Sequence, residues 1–294
     1  MMSLASLRGR WGKRWAGRGG VRGMVARALG SLGDTARRQG EYATAERRFR
    51  RALAIAERTF GRCHPEVVTL LNNLGVLHKA QGRFADAARV YRRASRILRA
   101  TLGPEHPELA SLYHNLGGLE HARGRYRRAE PLARRSVQLR EQALGPEHPD
   151  VAADVGALAS ILEGLGRHDE AEHLYRRALA IFEGALGRDH YEVGVALGNL
   201  GAVHFARAAA AEAEACYRRA LAIKERALGP AHPDLTTNLN NLAVLCKSQG
   251  RVSEAEGFYR RALAISTVAL GPDHPVVAAC RANYSTFAAR EPRT

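Results

Sequence analysis

The sequence predicts an all-α fold, an α-solenoid of stacked helical hairpins, and three observations carry that expectation. A connector recurs six times, as Phe60-Gly61-x-x-His64-Pro65, Leu102-Gly103-Pro104-x-His106-Pro107, Leu144-Gly145-Pro146-x-His148-Pro149, Leu186-Gly187-x-x-His190-Tyr191, Leu228-Gly229-Pro230-x-His232-Pro233 and Leu270-Gly271-Pro272-x-His274-Pro275, its histidines always 42 residues apart. A fixed period of this size marks units too small to bury their own apolar face and stable only against their neighbours. A second punctuation falls between connectors, at Gly40, Gly82, Gly124, Gly166 and Gly250, with Ala208 the exception. Composition agrees: Ala, Arg and Leu are the commonest residues and Glu is frequent, and these side chains lose little rotamer freedom in a helix.

The elements follow in order. Residues 1–23 are rich in Gly and Arg, and residues 1–33 hold seven Lys or Arg and no acid, which reads as a basic, disordered tail. An organellar presequence is the alternative; no apolar h-region of a secretory signal is present. A first hairpin is expected from near Met24, turning at Gly40. In the next unit Pro65 suits a first helical turn, where its missing N–H costs nothing. Val68, Leu71, Leu74 and Leu77 follow at helical spacing, Gly82 breaks the run, and a second helix turns Ala87, Tyr91, Ala94 and Ile97 inward. Gly103 ends that helix and Pro104 prevents its continuation. The same grammar yields six hairpins and a closing helix at about 275–289. The expected organisation is therefore a tail at 1–23, a solenoid at 24–290 and a short tail at 291–294.

The internal signature narrows the type of repeat. Leu71-x-x-Leu74-Gly75-x-x-His78 followed by Ala87-x-x-x-Tyr91-x-x-Ala94 resembles the tetratricopeptide pattern. Leu197-x-x-Leu200-Gly201 with Ala213-x-x-x-Tyr217-x-x-Ala220, and Leu29-x-x-Leu32-Gly33 with Ala45-x-x-x-Phe49-x-x-Ala52, repeat it. The 42-residue length, the connector, Asn240-Asn241-Leu242-Ala243 and Tyr175-Arg176-Arg177-Ala178-Leu179-Ala180-Ile181 resemble the long repeats of kinesin light chains and their relatives, over about residues 24–290. The resemblance implies a right-handed superhelix with the first helix of each pair lining a concave groove. It does not extend to holding a kinesin motor, because residues 1–23 lack the heptad coiled coil that family uses for it.

Net charge is +16, and its placement decides what it implies. Arginine doublets occur once per repeat, at 50–51, 92–93, 134–135, 176–177, 218–219 and 260–261, and in five units a glutamate (Glu46, Glu130, Glu172, Glu214, Glu256) lies four residues before the first arginine. That is the favourable order for a solvated helix face. Specific nucleic acid binding is accordingly not expected, and no apolar run is long enough for a membrane span. The four cysteines form no C-x-x-C pair, which argues against a disulfide framework or zinc site and fits a reducing compartment.

No nucleotide-binding, metalloprotease or hydrolase motif occurs, so no catalytic residue, metal or cofactor is expected. The connector histidines are too far apart along a solenoid to converge on one ion and are read as structural. One position of the first helix stands out, reading Asn73, Asn115, Ala157, Asn199, Asn241 and Asn283. Asn is a mediocre helix former, so its recurrence needs a reason. The resemblance implies contact with the main chain of a bound peptide; the alternative is bonding within the stack. Six residues further along come Lys79, His121, Glu163, Phe205 and Lys247, of which Lys79, His121 and Lys247 favour a carboxylate-bearing ligand.

The expected function is thus a non-enzymatic adaptor holding an extended, acidic segment of a protein partner, in the cytoplasm unless the N-terminus is a presequence. The alternatives are an RNA-binding helical-repeat protein, or the repeat portion of a larger enzyme or signalling receptor. Oligomeric state is left open.

Overall fold

The computed structural model describes residues 20–272 and 275–288. Within them the chain forms thirteen helices: α1 (Gly20–Arg38), α2 (Tyr42–Phe60), α3 (Pro65–Ala80), α4 (Phe84–Leu102), α5 (Leu109–Ala122), α6 (Tyr126–Leu144), α7 (Pro149–Gly164), α8 (His168–Leu186), α9 (Tyr191–Ala206), α10 (Ala210–Leu228), α11 (Leu235–Ser248), α12 (Val252–Leu270) and α13 (Pro275–Ala288). The first helix begins at Gly20, ahead of the expected Met24, and residues 1–19 and 289–294 lie outside the described residues.

The chain divides into two compact units, one ending at Leu165 and one starting at Gly166. In the first, α1/α2, α3/α4 and α5/α6 are hairpins, and α2, α4 and α6 each pack on the first helix of the next pair. In the second, α9/α10 and α11/α12 are hairpins, α8 packs on α9, α10 on α11, and α13 closes against α12. First helices of successive pairs also meet directly, α1 with α3, α3 with α5 and α5 with α7, and in the second unit α9 with α11. Within each unit the first helices therefore form the inner layer.

The connector histidines have a definite local task. His64, His148 and His190 are N-caps of α3, α7 and α9, each accepting on Nδ1 the N–H two residues on, at 3.1, 3.1 and 3.2 Å. His106 and His232 do the same with the N–H groups of Glu108 and Asp234. A ring nitrogen here satisfies one of the N–H groups that a helix start leaves without a partner. His274 lies outside the described residues.

The mid-hairpin turn requires a left-handed residue, with φ near +67° to +78° at Gly40, Gly82, Gly124, Gly166 and Gly250. Ala208 takes the same conformation at φ +60°, alone among the described non-glycine residues. Close approach uses glycine differently. A Cβ on Gly33, Gly75 or Gly201 would collide with the ring of Phe49, Tyr91 or Tyr217. The small residue and the aromatic of each signature thus form one contact that joins the two helices of a hairpin.

Candidate functional site

On the second helices every predicted intrahelical pair forms: Arg50–Glu46, Arg134–Glu130, Arg176–Glu172, Arg218–Glu214 and Arg260–Glu256, at 2.6–2.8 Å. The second arginine of the doublet also reaches back one repeat, Arg93 to Glu57, Arg219 to Glu183 and Arg261 to Glu225. Turn arginines add Arg83–Glu46 and Arg251–Glu214. Where Ala209 replaces that arginine, Arg207 makes the equivalent reach to Glu172. Most of these side chains are exposed, so solvent screens each pair.

Lysines behave otherwise. Lys79, Lys224 and Lys247 are the lysines among the described residues, and none has a carboxylate within ion-pair distance there. Lys79 on α3 lies against Gly118 of α5, its ammonium 3.0 Å from where a Cβ would stand, and burial lowers its pKa. His121, three residues along from Gly118, faces Ser160 of α7 at 3.1 Å and sets its ring edgewise to Tyr126. Its pKa is depressed by burial first and by the Lys79 charge second. Two of the three cationic candidates are therefore neighbours in the first unit. In the second, Lys247 places its ammonium over the Phe287 ring, 5.7 Å from the centroid.

The asparagines divide into two groups. Asn115 donates from Nδ2 to Asn72 Oδ1 at 2.7 Å, and Asn283 donates to Asn240 Oδ1 at 2.8 Å. Both bonds link one first-layer helix to the preceding one. Asn73, Asn199 and Asn241 make no side-chain hydrogen bond among the described residues. The reason lies 43 residues earlier: Asn72 and Asn240 supply acceptors, whereas Gly30 and Gly198 supply none to Asn73 and Asn241. Asn199 is exposed, Asn73 and Asn241 half-buried.

Two buried polar pairs were not foreseen. In the first unit Arg140 Nε donates to Asp154 Oδ2 at 2.9 Å, Ser136 Oγ donates to the same oxygen at 2.8 Å, and His114 Nδ1 meets Oδ1 at 2.6 Å. Two repeats on, Lys224 Nζ donates to Asn238 Oδ1 at 2.7 Å. The repeat places these side chains where other units hold Ala56 with Leu70, Leu98 with Leu112, and Phe182 with Ala196. A polar residue breaking an otherwise apolar register, 14 residues before a second one, is the signal that would have found both.

Helical hairpins with arginine–glutamate pairs along the second helices, and first helices bearing amides and ammonium groups without a bonded partner among the described residues, define a repeat scaffold. A model of the tetratricopeptide repeat matches residues 24–100, 91–142, 108–183, 151–226, 192–267 and 234–288, and the chain belongs to that family. Among solved structures it is similar to BtubC (BKLC) from P. vanneervenii, at 26% identity over 81% of this chain and 93% of that one, TM-score 0.63. A putative kinesin light chain of Podospora anserina with nearly identical TPR-like repeats is 23% identical over 70% and 97%, TM-score 0.60. Aspartyl phosphate phosphatase F from Bacillus subtilis shares the fold at 14% identity over 80% and 60%, TM-score 0.64. Comparison with curated proteins gives no match. No helix among the described residues is long and apolar enough to cross a membrane.

Proposed function

We propose that this chain is a non-enzymatic adaptor whose first-helix layer holds an extended, acidic segment of a partner protein. One observation carries the reading: on the first helices Lys79 and Lys247 are cations with no carboxylate within ion-pair distance among the described residues, Lys79 against Gly118 and Lys247 over the Phe287 ring. A cation left without an anion favours a ligand that brings one, through charge-assisted hydrogen bonds. The amides of Asn73, Asn199 and Asn241 add donors and acceptors suited to the unpaired N–H and C=O groups of an extended backbone. His121, Asn115 and Asn283 belong to the same layer, with one ring nitrogen or amide group already engaged. The first arginine of five of the six doublets is engaged by a glutamate of its own helix, which does not favour the RNA-binding alternative.

The test is an array of acidic twelve-residue peptides, with the affinities of those that bind measured by fluorescence anisotropy. The double substitution Asn199→Ala, Asn241→Ala weakens them roughly 5- to 150-fold, the effect of losing two hydrogen bonds if the losses add. Helix content stays constant, because Ala is the better helix former. Unchanged affinity in a folded double variant places the binding surface elsewhere.

A further inference from the structure

Successive second helices are joined by charge pairs, and the seam between α4 and α6 has lost the acids that make them. Between α10 and α12 two such pairs form, Arg218 with Glu254 at 3.1 Å and Glu225 with Arg261 at 2.6 Å. The second kind recurs where Glu57 meets Arg93 and Glu183 meets Arg219. On the α4–α6 seam the equivalent positions read Arg92 with Arg128 and Arg99 with Arg135. Both acids have become arginine. Two further departures lie on α4 itself. The glutamate that engages the first arginine of the other doublets is Ala88 here, and Arg96 stands where the other units hold Ala54, Gln138, Ala180, Ala222 and Ala264. Each of the four changes makes the same seam more positive.

These arginines are accessible and unengaged. Arg92, Arg96, Arg99 and Arg128 are exposed, and none has a side-chain hydrogen bond or ion pair among the described residues. Arg135 turns to Glu105 and the Pro104 carbonyl. The acids near the start of the two helices are already taken, Asp86 by Arg83 and Arg89, and Glu130 by Arg134. Arg127 and Arg128 also border, with Tyr126 and Leu165, a surface pocket of about 490 Å³, so this end of the seam is open to a ligand. Like charges held side by side are unfavourable and favour a ligand that brings the missing anions. Spacing describes that ligand further. Arg92 and Arg99 are two helical turns apart, as are Arg128 and Arg135, a distance of about 10.5 Å. The strip is also narrow, since Arg93 bonds to Glu57 on the α2 side. A single helix fits it, whereas a membrane surface or a nucleic acid duplex requires positive charge spread over several repeats.

We propose that the α4–α6 seam docks an acidic helix of a partner protein, one carboxylate lying between Arg92 and Arg128 and a second, two turns along, between Arg99 and Arg135. Arginine suits this task because its planar fork accepts a carboxylate through two parallel hydrogen bonds. The partner thereby supplies the acids that Glu254 and Glu225 supply within the α10–α12 seam. This surface belongs to the second helices and does not depend on the first-helix layer holding a peptide.

Two fluorescein-labelled, end-capped alanine–glutamine helices of equal length and charge are the probes, titrated with the full chain and read by anisotropy. One carries glutamates at i, i+4 and i+7, on a single face; the other carries them at i, i+2 and i+5, dispersed around the helix. The striped peptide should bind about fivefold or more tightly than the dispersed one. Arg99→Glu with Arg128→Glu restores the charge pairs of the other seams, so this variant should fold with unchanged helix content and bind the striped peptide about tenfold or more weakly. Arg92→Gln with Arg99→Gln removes two charges without reversing any and should weaken binding about threefold or more. Equal binding of the two peptides, or unchanged affinity in both folded variants, overturns the proposal. A single-stranded oligonucleotide of equal charge that outbinds the striped peptide at physiological salt, and loses that advantage in the same variants, assigns the seam to nucleic acid and overturns it too. Asn199→Ala with Asn241→Ala should leave the striped peptide's affinity unchanged; a loss there would place this peptide on the first-helix layer and remove it from the seam.

Discussion

Arg140 Nε donates to Asp154 Oδ2 across 2.9 Å with both side chains buried, tying α6 to α7 at a point where the preceding repeat holds Leu98 and Leu112. Burial alone would raise the Asp154 pKa, but the His114 hydrogen bond and charge, together with Arg140, outweigh it and leave the carboxyl below its ordinary value. A group depressed in the folded state adds stability that is complete above its unfolded pKa, near 4, and is lost as pH falls through the folded value.

Asp154→Ala therefore costs about 3–5 kcal/mol near neutrality, because it strands a buried guanidinium. Asp154→Asn removes the titrating carboxyl, and its thermal midpoint should fall less between pH 5 and pH 3 than that of the parent chain. Parallel acid sensitivity in both proteins would assign the acid response to other carboxylates.

Ala208→Gly should raise the unfolding temperature. At φ +60° an L-residue carries a steric penalty of roughly 1–2 kcal/mol that glycine avoids, and the position is a turn, where glycine costs no helix propensity. Thermal melts followed by circular dichroism read the shift directly; an unchanged or lower midpoint shows the penalty to be relieved elsewhere.

Two glycines on first helices should respond oppositely to alanine. In Gly75→Ala the added methyl meets the buried Tyr91 ring, and the resulting displacement costs about 1–3 kcal/mol. Nothing lies within 4 Å of the corresponding point on Gly156, so Gly156→Ala gains up to about 1 kcal/mol of helix propensity. Equal effects in urea titrations would contradict the close helix approach at Gly75.

The asparagines should separate in the same way. Asn115→Ala removes the bond to Asn72 and lowers stability by about 0.5–1.5 kcal/mol, whereas exposed Asn199→Ala leaves stability unchanged or slightly raised. Chemical denaturation of the two single variants distinguishes them.

Binding of any RNA or DNA should be weak and fall steeply with salt, since counterion release would supply most of its free energy. Tight, sequence-selective RNA binding at physiological salt, measured by filter binding, would overturn the adaptor reading.

The turn and helix grammar was legible because it is local. Gly82 and Gly103 stop helices, Pro65 starts one, and His64 caps one through bonds spanning only a few residues. The i, i+4 pairs, such as Arg218–Glu214, were legible for the same reason. The fate of the ladder amides was only half legible. Their recurrence marked the position, but whether each is engaged depends on a residue 43 positions earlier, as Asn72 and Gly198 show.

The sequence by itself determined the repeat, its family and the two helices of each unit, because a 42-residue period and fixed breakers act within one hairpin at a time. Only the tertiary structure decided which side chains meet between hairpins. Arg140 finds Asp154 and Lys224 finds Asn238 through the packing of a second helix on the next first helix, a contact between residues 14 positions apart across a connector that local propensity does not encode. There burial removes water as the competing partner, so a polar side chain must pair or remain unsatisfied, and the unsatisfied donor of Asn238 becomes visible only when its surroundings are in place.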